Sequence, residues 1–243
     1  MSYKRTAQLV AACVVCLSLS ACGNDVQARR GADTIKELAV LAKDRLSGKK
    51  AEPANAADPV AMIDYALRVV PDAPLQFVLM EKGGGYAVST VQGVNGQNVT
   101  WISPDKKSIT LASGMLTATR GFGGDLMSVE NGGAARLVSA RKSGQVQKTY
   151  RFLNGLDETG RFIVNCSIVS GGVDHVSSGE ISVSTRVMTE RCKSDGGSEF
   201  TNTYWIDGNG RMVQSVQWAS PSVGKIVFRR LRFCPNSLHL DII

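Results

Sequence analysis

The chain has 243 residues, 43% of them hydrophobic and 20% charged, with 25 glycines against 7 prolines and a formal charge of +7. That is the size and balance of one substantial globular domain with a small appendage, rich in turns. No dense Lys/Arg cluster with interleaved aromatics occurs, so the mild basic surplus belongs to a solvated surface and a nucleic-acid partner is excluded.

The chain opens with MSYKRTAQLVAACVVCLSLSAC, in which Lys4 and Arg5 precede an apolar run from Leu9 to Leu19. A run of about a dozen residues is too short to cross a ~30 Å hydrocarbon core as a helix, so residues 1–21 read as a signal peptide. It ends in Leu19-Ser20-Ala21-Cys22, which resembles the lipobox of bacterial lipoproteins. That resemblance implies a diacylglycerol on the Cys22 thiol, cleavage before Cys22 and palmitate-type acylation of the new amino group. Each buried methylene contributes ~0.8 kcal/mol, so two or three chains hold where one holds only marginally. Gly23 stands where aspartate would retain the protein in the inner membrane, so the expected address is the outer membrane, facing the periplasm. Loss of Lys4 and Arg5 with the leader takes the charge from +7 to +5.

Residues 22–57 read as a tether. A polar start leads into DTIKELAVLAKDRLSG, with Asp33 as cap, Ile35, Leu38, Leu41 or Ala42, and Leu46 on one face and Gly48 as stop; the linker KKAEPANAA follows. A second helix opens at DPVAMIDYALRVV, with Asp58 at the N-cap and Pro59 at the first helical position. Both helices are expected to pad a sheet.

From Pro74 the pattern becomes β. LQFVLME, GYAVSTV, QNVTWIS, KSITLAS and GMLTATR are short runs separated by turn residues. After a less regular stretch, Phe122 to Gly144, the pattern returns in QVQKTYRFLN, GRFIVNCSIV, EISVSTRVMTERC, EFTNTYWID, GRMVQSVQWAS and GKIVFRRLRF, with DGNG (Asp207 to Gly210) as a hairpin turn. About ten or eleven strands with no long helices between them predict a mainly β fold over residues 58–233. The expected form is a large antiparallel meander, a barrel or strongly curled sheet with one or two N-terminal helices. Residues 234–243 are left as a C-terminal tail.

The mature chain keeps Cys22, Cys166, Cys192 and Cys234. With Cys22 acylated, three thiols remain in an oxidising compartment. A hairpin centred on Ser177 to Glu180 brings Cys166 and Cys192 opposite each other but for one step of register, which a bulge at Gly171-Gly172 absorbs. These two are the expected disulfide, and Cys234 is left over.

ATRGFGGDLM, Ala118 to Met127, places three glycines between an arginine and an aspartate. A phosphate-binding loop needs a strand before it, a long helix after it and, in its common form, Lys-Ser/Thr at its end. Only the strand is present, so the glycines are expected to let the chain leave the strand at positive φ, with Asp125 capping the turn or pairing with Arg120. Catalytic constellations are scarce. Asp174, His175 and Ser177 share one short stretch, and neighbours so close rarely converge as a triad. No paired Cys/His spacing suits zinc, and no cofactor is expected. Tyr204 and Trp205 face opposite sides of their strand, one toward the core and one toward a surface where a sugar ring can stack.

LASGMLTATRGFGGDLM, FTNTYWIDGNGRMVQSVQWASPSVG and the lipobox together resemble the YjbF/GfcB family, lipoproteins of group 4 capsule and related exopolysaccharide operons. The residues that carry the resemblance are Arg120, Gly121, Asp125, Leu126 and Met127 in the first motif, and Trp205, Asp207, Trp218 and Pro221 in the second. The resemblance implies a β-rich, barrel-like domain over roughly residues 60 to 230. It also implies a non-enzymatic accessory role in making or exporting surface polysaccharide, beside other proteins of the secretion operon. A barrel-shaped carrier of a lipid or apolar ligand, and a polysaccharide-modifying enzyme, are the alternatives. The first requires a wide apolar lumen and the second converging carboxylates in a groove.

Overall fold

The structure, a computed structural model, describes residues 58–153 and 159–233. The signal peptide, Cys22, the tether helix, Cys234 and the tail lie outside the described residues.

The described chain begins with α1 (Pro59–Val69), where Asp58 Oδ1 accepts the Val60 N–H at 3.0 Å and Pro59 starts the first turn. Its apolar stripe, including Met62, Ile63, Ala66 and Leu67, packs on Leu75, Phe77, Val88 and Leu231. Arg232 donates to the Leu67 carbonyl at 3.0 Å and to the Val70 carbonyl, and it also pairs with Glu180. The helix thus has a guanidinium at the end where its carbonyls lack internal partners.

Twelve strands follow: β1 (Leu75–Met80), β2 (Tyr86–Asn95), β3 (Asn98–Ile102), β4 (Ser108–Ala112), β5 (Met115–Arg120), β6 (Leu126–Glu130), β7 (Gly144–Leu153), β8 (Thr159–Ser178), β9 (Ile181–Lys193), β10 (Glu199–Ile206), β11 (Met212–Ser220) and β12 (Gly224–Arg232). They form one sheet in the order β5-β4-β3-β2-β1-β12-β11-β10-β9-β8-β7-β6, with every neighbouring pair antiparallel. The expected meander is therefore curled into a nearly closed barrel, with the first and last strands as partners. The seam lies between β5 and β6, in the middle of the chain.

The count differs from the sequence reading by one strand. β6 lies in the stretch read as irregular, together with the short helix α2 (Ala134–Ser139). Met127 interrupts its alternation: Leu126 faces Phe152 and Ser128 faces Arg151, so Met127 is the extra residue of a bulge.

Up-and-down connection puts the β1–β2, β3–β4, β5–β6 and β11–β12 turns at one pole. The other pole carries the end of α1, α2 and the β10–β11 turn. Inward side chains fill the space between them. Trp101, Tyr150, Leu111, Leu126, Ile226 and Phe228 belong to one continuous core. At the helix pole, α2 lays Ala134 and Val138 against Met115, Ile168, Met188 and Tyr204.

Candidate functional site

The glycine-rich loop is the clasp of the seam. Gly121 has φ +88°, which turns the chain sharply out of β5 at an angle that suits glycine. The Asp125 carboxylate then accepts the Gly121 N–H at 2.8 Å, the Phe122 N–H at 3.2 Å and the Thr119 hydroxyl at 2.8 Å. The Thr119 oxygen in turn accepts the Leu126 N–H at 2.9 Å. Arg120 donates to the carbonyls of Thr119 at 2.6 Å and Leu126 at 3.0 Å, so it spans the gap rather than pairing with Asp125. Two of the loop amides that a phosphate would need, those of Gly121 and Phe122, are already taken by a carboxylate of the same loop. Deeper in the barrel, Gln217 reaches from β11: its Oε1 accepts the Leu116 N–H and its Nε2 donates to the Gly114 carbonyl, both at 2.8 Å. One buried amide thus serves as donor and acceptor for an edge strand, as a neighbouring strand would.

The second motif meets the first. A Cβ on Gly124 would lie 1.8 Å from Ser222 Oγ, so the seam loop rests directly on the β11–β12 turn. The Pro221 carbonyl in that turn accepts Lys82 Nζ at 2.6 Å, which ties in the β1–β2 turn. Asp207 organises the turn at the opposite pole, as DGNG led one to expect. It accepts the N–H groups of Asn209 at 2.9 Å and Arg211 at 2.8 Å, and Arg211 Nε at 2.9 Å. Tyr204 is fully buried, whereas Trp205 is half-buried on the other face and donates from Nε1 to Asp174 at 2.8 Å. Trp218 lies beyond the point where β10 and β11 stop pairing; Asn202 Oδ1 accepts its N–H at 2.8 Å. Its indole stacks on Phe200 with centroids 4.5 Å apart and meets Tyr150 edge-on at 5.2 Å.

Cys166 and Cys192 are directly opposed on β8 and β9 and form the disulfide. The bulge falls at Gly171-Gly172, between the pairs Ser170–Met188 and Val173–Arg186. The turn is one residue later than expected, over Gly179-Glu180, because Ser178 still pairs with Ile181. Beside the disulfide is a polar network that the sequence reading missed. Glu190 Oε2 accepts Lys148 Nζ at 3.1 Å, Asn202 Nδ2 at 2.6 Å and the Tyr204 hydroxyl at 2.6 Å. Burial opposes the Lys148 charge, yet Tyr150 and Glu190 beside it raise its pKa above the ordinary lysine value. Burial, with Glu190 adding to it, pushes the Tyr204 phenol well up and keeps it a donor. The signal was polar residues at inward positions of alternating strands, which periodicity alone does not distinguish from register breaks.

His175 Nε2 lies 3.0 Å from Ser182 Oγ, not from Ser177, while the Asp174 side chain is engaged by Trp205 and the His175 backbone. The trio therefore does not assemble. Among the described residues one cluster, Cys166, Glu190 and Cys192, has metal-ligand spacing, and its sulfurs are bonded to each other. An apolar cavity of about 90 Å³ near the seam loop is lined by Val78, Tyr86, Trp101 and Phe122, among others. It is small beside the ~300–1,000 Å³ of ordinary ligand pockets. A larger open groove, about 530 Å³, runs over β7, β8 and β9, and its solvent-exposed lining includes Gln145, Gln147, Asn165, Ser167, Arg191 and Lys193.

These features define a class: a side-chain-filled antiparallel β-barrel, cross-linked by a disulfide, whose motif residues lock the seam and turns. The chain belongs to the YjbF family, described as group 4 capsule polysaccharide lipoprotein GfcB, whose model matches residues 37–231. That match begins within the segment read as a tether. The lipoprotein YmcC of Escherichia coli K12 shares the fold, with a TM-score of 0.63 at 18% identity over 72% of this chain and 90% of that one. An exported protein with a YmcC-like fold from Bacteroides fragilis has 10% identity and a TM-score of 0.30, covering 66% of this chain and 94% of its own. No curated protein sequence matches. The family points to the cell envelope and to capsule production, and no helix among the described residues is long and apolar enough to cross a membrane.

Proposed function

We propose that this protein is an outer-membrane-anchored, non-enzymatic accessory factor of capsule or exopolysaccharide production or export. Lipid on Cys22 holds it, and it acts by binding the polymer or a partner of the secretion machinery. The family match supports the pathway. The open groove over β7, β8 and β9 carries the binding part of the reading. Its exposed amides, hydroxyl and cations suit a hydroxylated, acidic polymer, and Arg191 has no ion-pair partner among the described residues. The packed interior favours this over a carrier of apolar ligands: Trp101, Tyr150 and Tyr204 are at most 2% exposed.

The test is deletion of the gene, quantification of surface polysaccharide, and complementation. The intact gene is expected to restore the polysaccharide, and Cys22→Ser to fail although the protein is made. Arg191→Ala combined with Gln147→Ala is expected to restore it only in part. Unchanged polysaccharide in the deletion refutes the pathway; full rescue by the double variant refutes the groove.

A further inference from the structure

We propose that the barrel interior holds a buried halide-sized anion, chloride in the cell, between Gln76 on β1 and Arg230 on β12. The two residues are direct cross-strand partners, 2% and 5% exposed, and both line one small cavity of about 10 Å³. That is room for one water or one monatomic ion.

Three basic side chains are buried among the described residues: Lys148, Arg230 and Arg232. Lys148 has Glu190 and Arg232 has Glu180. Among the described residues Arg230 has no carboxylate partner and donates no hydrogen bond; its guanidinium faces two aromatic rings. Its guanidinium carbon lies 4.4 Å from the centroid of the Trp101 ring and 5.9 Å from that of Phe233. Arg230 Nε and Gln76 Nε2 are both buried with no acceptor. Burial draws the Arg230 pKa down to about 10, so the group stays charged at neutral pH. A cation over an indole recovers part of the lost hydration, and the Arg230 Nε–H and the Gln76 amide N–H remain unmet. A water molecule would accept hydrogen bonds but leave the charge uncompensated, whereas an anion does both. The cavity is too small for phosphate, sulfate or a sugar carboxylate, which leaves a monatomic ion.

The test uses the full-length protein in detergent. Thermal unfolding is followed in sodium chloride and in sodium gluconate at equal ionic strength, so that general screening cancels. Crystals grown in sodium bromide are read for anomalous scattering. Once chloride exceeds its dissociation constant, each further tenfold is expected to raise the wild-type Tm by about 3–6 °C. Arg230→Met is expected to abolish that dependence; if it does not fold, Gln76→Leu is expected to weaken it. A bromide peak between Gln76 and Arg230 supports the site. Identical chloride and gluconate series, or density there without anomalous signal, overturns it.

Discussion

Asp125→Ala removes the acceptor that organises the seam. Three bonds go: one from the Thr119 hydroxyl and two from the N–H groups of Gly121 and Phe122. The Gly121 amide is at the surface and regains water, so little is lost there. The other two are part-buried, and bonds to a charged acceptor contribute about 1.5–3 kcal/mol each. Allowing for relaxation, the cost is about 3 kcal/mol, a Tm drop of roughly 6–12 °C for a domain of this size. Location matters more than the total. Thr119 Oγ, no longer held by Asp125, accepts the Leu126 N–H less well. Amide exchange at β5 and β6 is therefore expected to accelerate, while the β1–β12 ladder stays protected. Asp125→Asn, which keeps one oxygen, is expected to fall between. A Tm within about 1 °C of wild type, or exchange that rises evenly through the barrel, would refute the clasp.

Further outcomes concern the core and the helix. Cys166→Ser with Cys192→Ser opens a loop closed over 26 residues and is expected to cost about 3.5 kcal/mol in urea unfolding, with a steeper slope because the unfolded chain without the cross-link exposes more surface. Glu190→Gln leaves the Lys148 charge buried without a counter-charge and is expected to cost about 3–5 kcal/mol, whereas Glu190→Leu with Lys148→Met recovers much of it. Hydrogen bonds from Arg232 hold the Glu180 pKa below its usual 4.5. Their contribution is complete above that value and is lost as pH falls through the lowered one. The C-terminal amides of α1 are expected to lose protection, relative to their intrinsic exchange rates, as the pH falls through the lowered value, and Glu180→Gln to flatten that dependence.

Much of the barrel was legible because its strands alternate cleanly and its turns carry glycine or asparagine. The disulfide was legible for the same reason, because pairing register is an arithmetic constraint; the bulge at Gly171-Gly172 takes one residue out of β8, so it brings the cysteines opposite only because the turn sits one residue later than the sequence suggests. β6 was hidden because Met127, a bulge residue, breaks a short pattern. The closure of β1 on β12 and the interior amide of Gln217 were not legible. Both depend on contacts between distant parts of the chain, and a glutamine that completes an edge strand looks in sequence like any other polar residue in a strand. Arg120 and Asp125 were picked out as a motif, but their division of labour, one across the gap and one within the loop, needed coordinates.

Joining β1 to β12 sets the schedule of folding. Each of the other ladders pairs consecutive strands and can zip locally as the chain emerges. The last one must wait for Gly224–Arg232, long after Leu75–Met80 has appeared. Until then β1 is an exposed, largely apolar edge, the kind of surface that recruits a second nascent chain. A chaperone that shields Leu75–Met80 in transit would guard the most vulnerable interval in the life of this molecule.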